Sequence, residues 1–114
     1  MPAPDPDHTW HKIAESLAEL RADGSSLKEI RLGERTVCLA IYQDRISACA
    51  HTCPHAGGRM VDGYIDPLGN IVCPLHRYKF SLANGRNVSG EGYYLRTYPI
   101  EERADGVFIR LPGK

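Results

Sequence analysis

Cys53-Pro54-His55 and, after 17 intervening residues, Cys73-Pro74-Leu75-His76 decide the reading of this chain, because each short run offers one thiolate and one imidazole. Proline beside each cysteine removes a backbone donor and fixes φ, which helps hold a loop in one shape. Gly57 and Gly58, just after the first run, allow the backbone to approach a bound group closely. Two sulfur and two nitrogen donors suit two kinds of centre. In a two-iron, two-sulfide core, each loop can send its cysteine to one iron and its histidine to the other. Neutral imidazole gives less negative charge than thiolate, so the histidine-bound iron is easier to reduce, with a potential between about −150 and +300 mV. The alternative is a structural zinc shell of two cysteines and two histidines. Zinc loops usually pair like ligands with like, however, and zinc gains nothing from the longer Cys-x-x-His spacing of the second run.

The flanking sequence extends the match. CPHAGGRMVDG (53–63), VCPLHRYKFSLANGR (72–86) and YPIEERADGVFIRLP (98–112) together resemble the Rieske ferredoxin family over nearly the whole chain. The resemblance implies one 2Fe-2S cluster per chain held by Cys53, His55, Cys73 and His76, with the histidine-bound iron nearest the surface. It also implies an all-β fold, a Rieske-type antiparallel sandwich base carrying a small inserted cluster-binding lobe. By the same resemblance the chain is an electron carrier, taking single electrons from a flavin-dependent reductase to a terminal oxygenase or other oxidoreductase. It is similar as well to the small subunit of NAD(P)H nitrite reductase, which gives a second reading as a fixed subunit of a larger redox enzyme. A zinc-stabilised interaction module is the third. No catalytic residue is expected, and a complete oxygenase would need a further mononuclear-iron domain and a far longer chain.

Respiratory members of the family brace the two loops with an extra disulfide, and the matching positions here are Gly58 and Leu75. They also place hydroxyl donors two and four residues after the last histidine, where this chain has Tyr78 and Phe80. Fewer donors to the sulfurs destabilise the reduced, more negative state, so a potential near the low end of the range, about −150 mV, is expected.

Composition agrees with a small carrier. The 114 residues suffice for one domain with a modest core. Fourteen basic and 14 acidic side chains cancel, and no basic patch interleaved with aromatics suggests nucleic acid. No apolar run approaches the ~20 residues of a membrane span, and MPAPDPDHTW lacks a signal core, so a cytoplasmic location is expected. Cys38 and Cys49, set in apolar runs, read as buried free thiols, with a disulfide or extra ligation as the alternatives. His8 and His11 read as solvated, His51 as a residue that orients the first loop, and Met60 as packing or as a cover over the cluster. Arg59, Arg77 and Lys79 form a basic trio, either a solvated face or a dock for an acidic reductase.

Short apolar runs between turn residues predict strands at 10–14, 27–32, 37–42, 46–50, 64–65, 70–72, 80–82, 95–102 and 107–111. Ser16-Leu17-Ala18-Glu19 has capping-box spacing and predicts a single helical turn. Gln43-Asp44-Arg45 and Asp66-Pro67-Leu68-Gly69 are expected connections. The expected organisation is a flexible tail over residues 1–9 and one domain over 10–114, with the base at 10–45 and 86–114 and the cluster lobe at 46–85.

Overall fold

The computed structural model describes residues 8–54 and 57–112. Among them, ten strands form three antiparallel sheets. Strand β1 (His8–Ala14) pairs with β10 (Gly106–Pro112), which pairs with β9 (Ile100–Arg103). Strand β2 (Leu27–Leu32), β3 (Arg35–Tyr42), β4 (Arg45–Ala50) and β8 (Thr97–Tyr98) form the second sheet in that order. The third, β5 (Tyr64–Ile65), β6 (Asn70–Val72) and β7 (Lys79–Ser81), lies between the two ligand runs and beyond them. One short helix, α1 (Leu17–Arg21), follows β1; the Ser16 side chain accepts the Glu19 amide at 3.1 Å, and Glu19 Oε1 accepts the Glu15 amide at 3.1 Å. The capping spacing is thus realised, and Leu20 turns inward to the core.

Period-two alternation in β3 explains how one sheet serves two cores. Val37, Leu39 and Ile41 face the first sheet, where they pack with Ala14, Ala48, Val107, Ile109 and Leu111. Cys38 and Cys49 belong instead to a second apolar cluster with Cys53, Met60, Ile71, Cys73, Phe80 and Leu95. The base sheet is therefore the floor beneath the two ligand runs. Tyr42 reaches across from it: its hydroxyl donates to Pro67 O at 2.7 Å, and a Cβ on Gly69 would meet its ring at 3.1 Å. A glycine at the tip of the β5–β6 turn, at φ +84°, admits both the backbone conformation and the ring.

Several expected boundaries move. The first strand begins at His8, opposite Pro112, so the expected tail ends inside a strand; residues 1–7 lie outside the described residues. The run 95–102 is not one strand. Pro99 has no amide to give to a ladder, and the chain changes sheets there, β8 pairing with β4 and β9 with β10. Residues 46–50 lie in the base sheet, β4 being held on both sides by β3 and β8, so the expected lobe boundary at residue 46 falls within a base strand. Gln43-Asp44 is a two-residue turn, with φ of 49° and 63°, and Arg45 is already in the ladder opposite Tyr42.

Asp66 organises the turn that brings the second ligand run back. Its Oδ1 accepts the amides of Leu68 and Asn70, both at 2.9 Å, and its Oδ2 accepts Asn70 Nδ2 at 3.2 Å, with Lys79 Nζ at 3.9 Å. Burial opposes ionisation of this carboxyl, but the donors from Asn70 and Leu68 and the Lys79 charge outweigh it and hold the group below the usual carboxylate range. A depressed native pKa contributes stability that is complete above the unfolded value, near 3.9, and is lost as pH falls through the native one. Acidification below about pH 4 should therefore lower the melting temperature. Asp66→Asn should be less stable at neutral pH and lose less over that acid window, as thermal unfolding at a series of pH values would show; equal acid sensitivity would contradict the role.

Candidate metal centre

The two ligand runs fold by one construction. In the first, the Cys53 amide donates to Gly58 O at 2.8 Å; in the second, the Cys73 amide donates to Tyr78 O at 2.9 Å. Each loop is thus closed from its cysteine onto the carbonyl five residues later, by the same backbone bond. The first loop is further tied by Gly57 N to Cys53 O at 3.0 Å and by Met60 N to His51 O at 2.9 Å, so His51 orients the loop through its carbonyl. His51 also lines a cleft of about 840 Å³ with His11, Glu34 and Arg35, and that cleft includes none of Cys53, Cys73 and His76.

The loops meet face to face. Cys53 and Cys73 are both buried, in one apolar cluster, and lie close enough to interact electrostatically. Burial pushes the Cys73 thiol up, and the nearby Cys53 adds to this; the Leu75 amide donates to the Cys73 sulfur and pulls the other way. A Cβ on Gly58 would stand 3.0 Å from Leu75 Cγ and 3.2 Å from Cys73 Sγ. Positions 58 and 75 are therefore neighbours across the gap, where the respiratory branch has its brace and this chain has only a glycine against a leucine.

The second loop carries visible strain. His76 and Arg77 both take left-handed conformations, at φ 61° and 59°, each costing roughly 1–2 kcal/mol for a residue other than glycine. Consecutive strain of this kind persists where the surrounding structure or a bound group requires it. Its result is that His76 stands exposed while the cysteines are covered. Tyr78 lies beside it, ring centroids 6.4 Å apart, and Tyr93 lies 5.8 Å beyond Tyr78. His55 lies outside the described residues, and among the described residues no three His, Cys, Asp or Glu side chains converge on one point that could hold a single metal ion.

The donors that are described fit an iron–sulfur centre. Two buried thiols face each other across a gap kept open by Gly58, with an amide aimed at one sulfur, as an anionic cluster requires. When bound, such a cluster supplies one-electron redox chemistry.

A profile of the Rieske [2Fe-2S] domain matches residues 9–99. The chain belongs to that family. Among its relatives is the ferredoxin component of the alkene monooxygenase system of Xanthobacter autotrophicus, 27% identical over 78 residues, covering 68% of this chain and 64% of that one. The chain thus matches just under two thirds of that relative's length. The Rieske fold is shared with the ferredoxin of carbazole 1,9a-dioxygenase from Nocardioides aromaticivorans, at a TM-score of 0.76 and 18% identity, over 89% of this chain and 96% of that one. A putative NADH-dependent nitrite reductase small subunit from Mycobacterium tuberculosis superposes at a TM-score of 0.74 and 19% identity, over 92% and 95%.

The basic trio divides. Arg59 Nη2 pairs with Glu29 at 3.0 Å, and Nη1 lies 3.6 Å from Asp62; Lys79 points at Asp66. Arg59 thereby ties the first Rieske loop to the edge strand β2, a contact between residues 30 apart that no local pattern announces. Met60 is fully buried among apolar neighbours, so packing accounts for it.

Proposed function

We propose that Cys53, His55, Cys73 and His76 hold one 2Fe-2S cluster and that the chain is a Rieske ferredoxin, carrying single electrons from a flavin-dependent reductase to a terminal oxygenase. The observation that carries this reading is the paired construction of the loops, which brings two buried thiols together and leaves His76 exposed. Electrons enter and leave by the histidine edge, so a partner need touch only that tip, in a small and short-lived contact. The role requires no catalytic group of this chain. We divide the domain into a base of the first two sheets and a cluster lobe that starts after β4, at residue 51. Among the described residues no helix is long and apolar enough to cross a membrane, and we place the protein in the cytoplasm.

The nitrite reductase likeness supports a second reading, a subunit held permanently on a catalytic chain. Affinity purification from the source cell separates the two: a stoichiometric large partner surviving gel filtration favours the subunit, and recovery of the chain alone favours the carrier.

The midpoint potential tests the electronic side. Phe80 is fully buried and has no hydroxyl, and Leu75 offers Cys73 an amide and no bracing sulfur. With no hydroxyl at position 80 and no brace at position 75, the potential should lie toward the low end of the family range, near −150 mV. Protein-film voltammetry giving a value well above about 0 mV would contradict it.

A further inference from the structure

Cys38 and Cys49 take no part in the ligand set, yet their placement is specific. They face each other in the β3–β4 ladder. The two-residue turn Gln43-Asp44 makes Tyr42 and Arg45 the first hydrogen-bonded pair. Bonded and non-bonded pairs then alternate, so Ala40 with Ser47 and Cys38 with Cys49 are bonded pairs as well. Two bonds outside this ladder agree. Ile41 N donates to Ser26 O and Ala50 N to Arg96 O, both at 2.8 Å, so these alternate residues turn their amides away from the β3–β4 seam and leave positions 38 and 49 facing it.

A bonded pair sets its Cα atoms about 5.5 Å apart, which is also the commonest separation for disulfide-linked cysteines. Register partners project from the same face, so the two thiols are neighbours there, with Cys38 Sγ lying 3.9 Å from Leu39 O. Their Cβ atoms, roughly 5.5 Å apart in such a pair, would have to close toward about 3.8 Å. A bond made at that expense is more reducible than a relaxed one.

Both cysteines are sealed, at 0% and 1% exposure, in the apolar cluster that also contains Cys53 and Cys73. Contact with Cys38 and burial hold the Cys49 thiol far above its ordinary range, and a thiol is not a nucleophile. Reaction therefore requires the ligand loops above to open.

We propose that Cys38 and Cys49 are a reversible dithiol–disulfide site beneath the ligand loops, silent while those loops are held and reactive once their cluster is lost. The proposal rests on the reading of the loops as cluster ligands. The oxidant is a low-molecular-weight disulfide such as oxidised glutathione. One cysteine, as thiolate, attacks it to give a mixed disulfide and one glutathione; the second cysteine then displaces the other. The oxidant's S–S bond breaks, the Cys38–Cys49 bond forms, two electrons pass to glutathione, and the two cysteine protons end on two glutathione thiols.

The test compares the purified, cluster-loaded chain with an aliquot stripped of iron by a chelator under reducing conditions. Both are freed of reductant, treated with oxidised glutathione, alkylated, digested and mapped by mass spectrometry, with Cys49→Ala as control for the assignment. The loaded chain should give Cys38 and Cys49 alkylated. The stripped chain should give them joined, reversibly by dithiothreitol, and Cys49→Ala should lose that linkage. Stripped protein in which both stay alkylated, or equal cross-linking in the loaded chain, would overturn the proposal. Iron and acid-labile sulfide measured on the starting sample keep the two readings apart: a chain without a cluster that still joins Cys38 to Cys49 overturns the ligand reading and the gating while keeping the disulfide site, and one that does neither overturns both.

Discussion

Replacing His76 with Cys should lower the midpoint potential by on the order of 100 mV or more, toward the roughly −400 mV of an all-cysteine plant-type cluster. The direction follows from charge: a thiolate in place of a neutral imidazole adds negative charge to the iron that takes the electron, and so disfavours reduction. The substitution is well suited to the site, since His76 is exposed and a smaller side chain there displaces no core packing. Its backbone is already left-handed, at φ 61°, a conformation that cysteine, like histidine, adopts at a cost of about 1–2 kcal/mol. Voltammetry of the variant, with iron and sulfide content measured on the same sample, checks the result. An unchanged potential with a full cluster would mean that His76 is not a ligand.

The largest expected effect on stability lies at Gly85. It closes the turn after β7, its amide donating to Ser81 O at 2.8 Å and its carbonyl accepting from Leu95 N at 2.9 Å. A Cβ there would lie 1.8 Å from Leu95 O, and φ is +80°. Alanine would have to displace backbone that anchors Leu95, a member of the apolar cluster under the ligand loops, as well as adopt a left-handed conformation. We expect Gly85→Ala to cost about 3 kcal/mol or more, lowering the melting temperature by about 10 °C or more. Gly90 supplies the control, with φ +94° and nothing within 4 Å of an added Cβ. Alanine there should cost only about 1 kcal/mol, the conformational part alone. Similar losses at the two sites, measured by chemical denaturation, would show that the close approach to Leu95 is not what Gly85 provides.

What could be read from the sequence was chiefly what is local. The β2, β5 and β6 bounds and the Ser16 cap follow from alternation and capping chemistry within a few residues. Pro99 was in view, and its missing amide already argued against a single strand from 95 to 102. The Gln43-Asp44 turn is more instructive. Treating Arg45 as part of the connection shifts the β3–β4 register by one residue, which sets Cys38 opposite Ala50 and hides its pairing with Cys49. Burial of both cysteines could be foreseen from apolar neighbours; their pairing across the ladder could not. The ion pair of Arg59 with Glu29 and the approach of Gly58 to Leu75 depend on how distant segments pack, and no sequence period encodes either. The paired Cys-Pro runs were legible because cluster chemistry confines the donors to short loops, whereas the five-residue closure that shapes both loops required the folded backbone.

The central claim is that these loops hold a two-iron, two-sulfide cluster with mixed ligands. The most direct measurement is iron, acid-labile sulfide and zinc on anaerobically purified protein, together with the electron paramagnetic resonance spectrum after reduction. Two irons and two sulfides per chain with a Rieske-type signal are the predicted result. One zinc without sulfide would contradict it and leave a small metal-stapled binding domain.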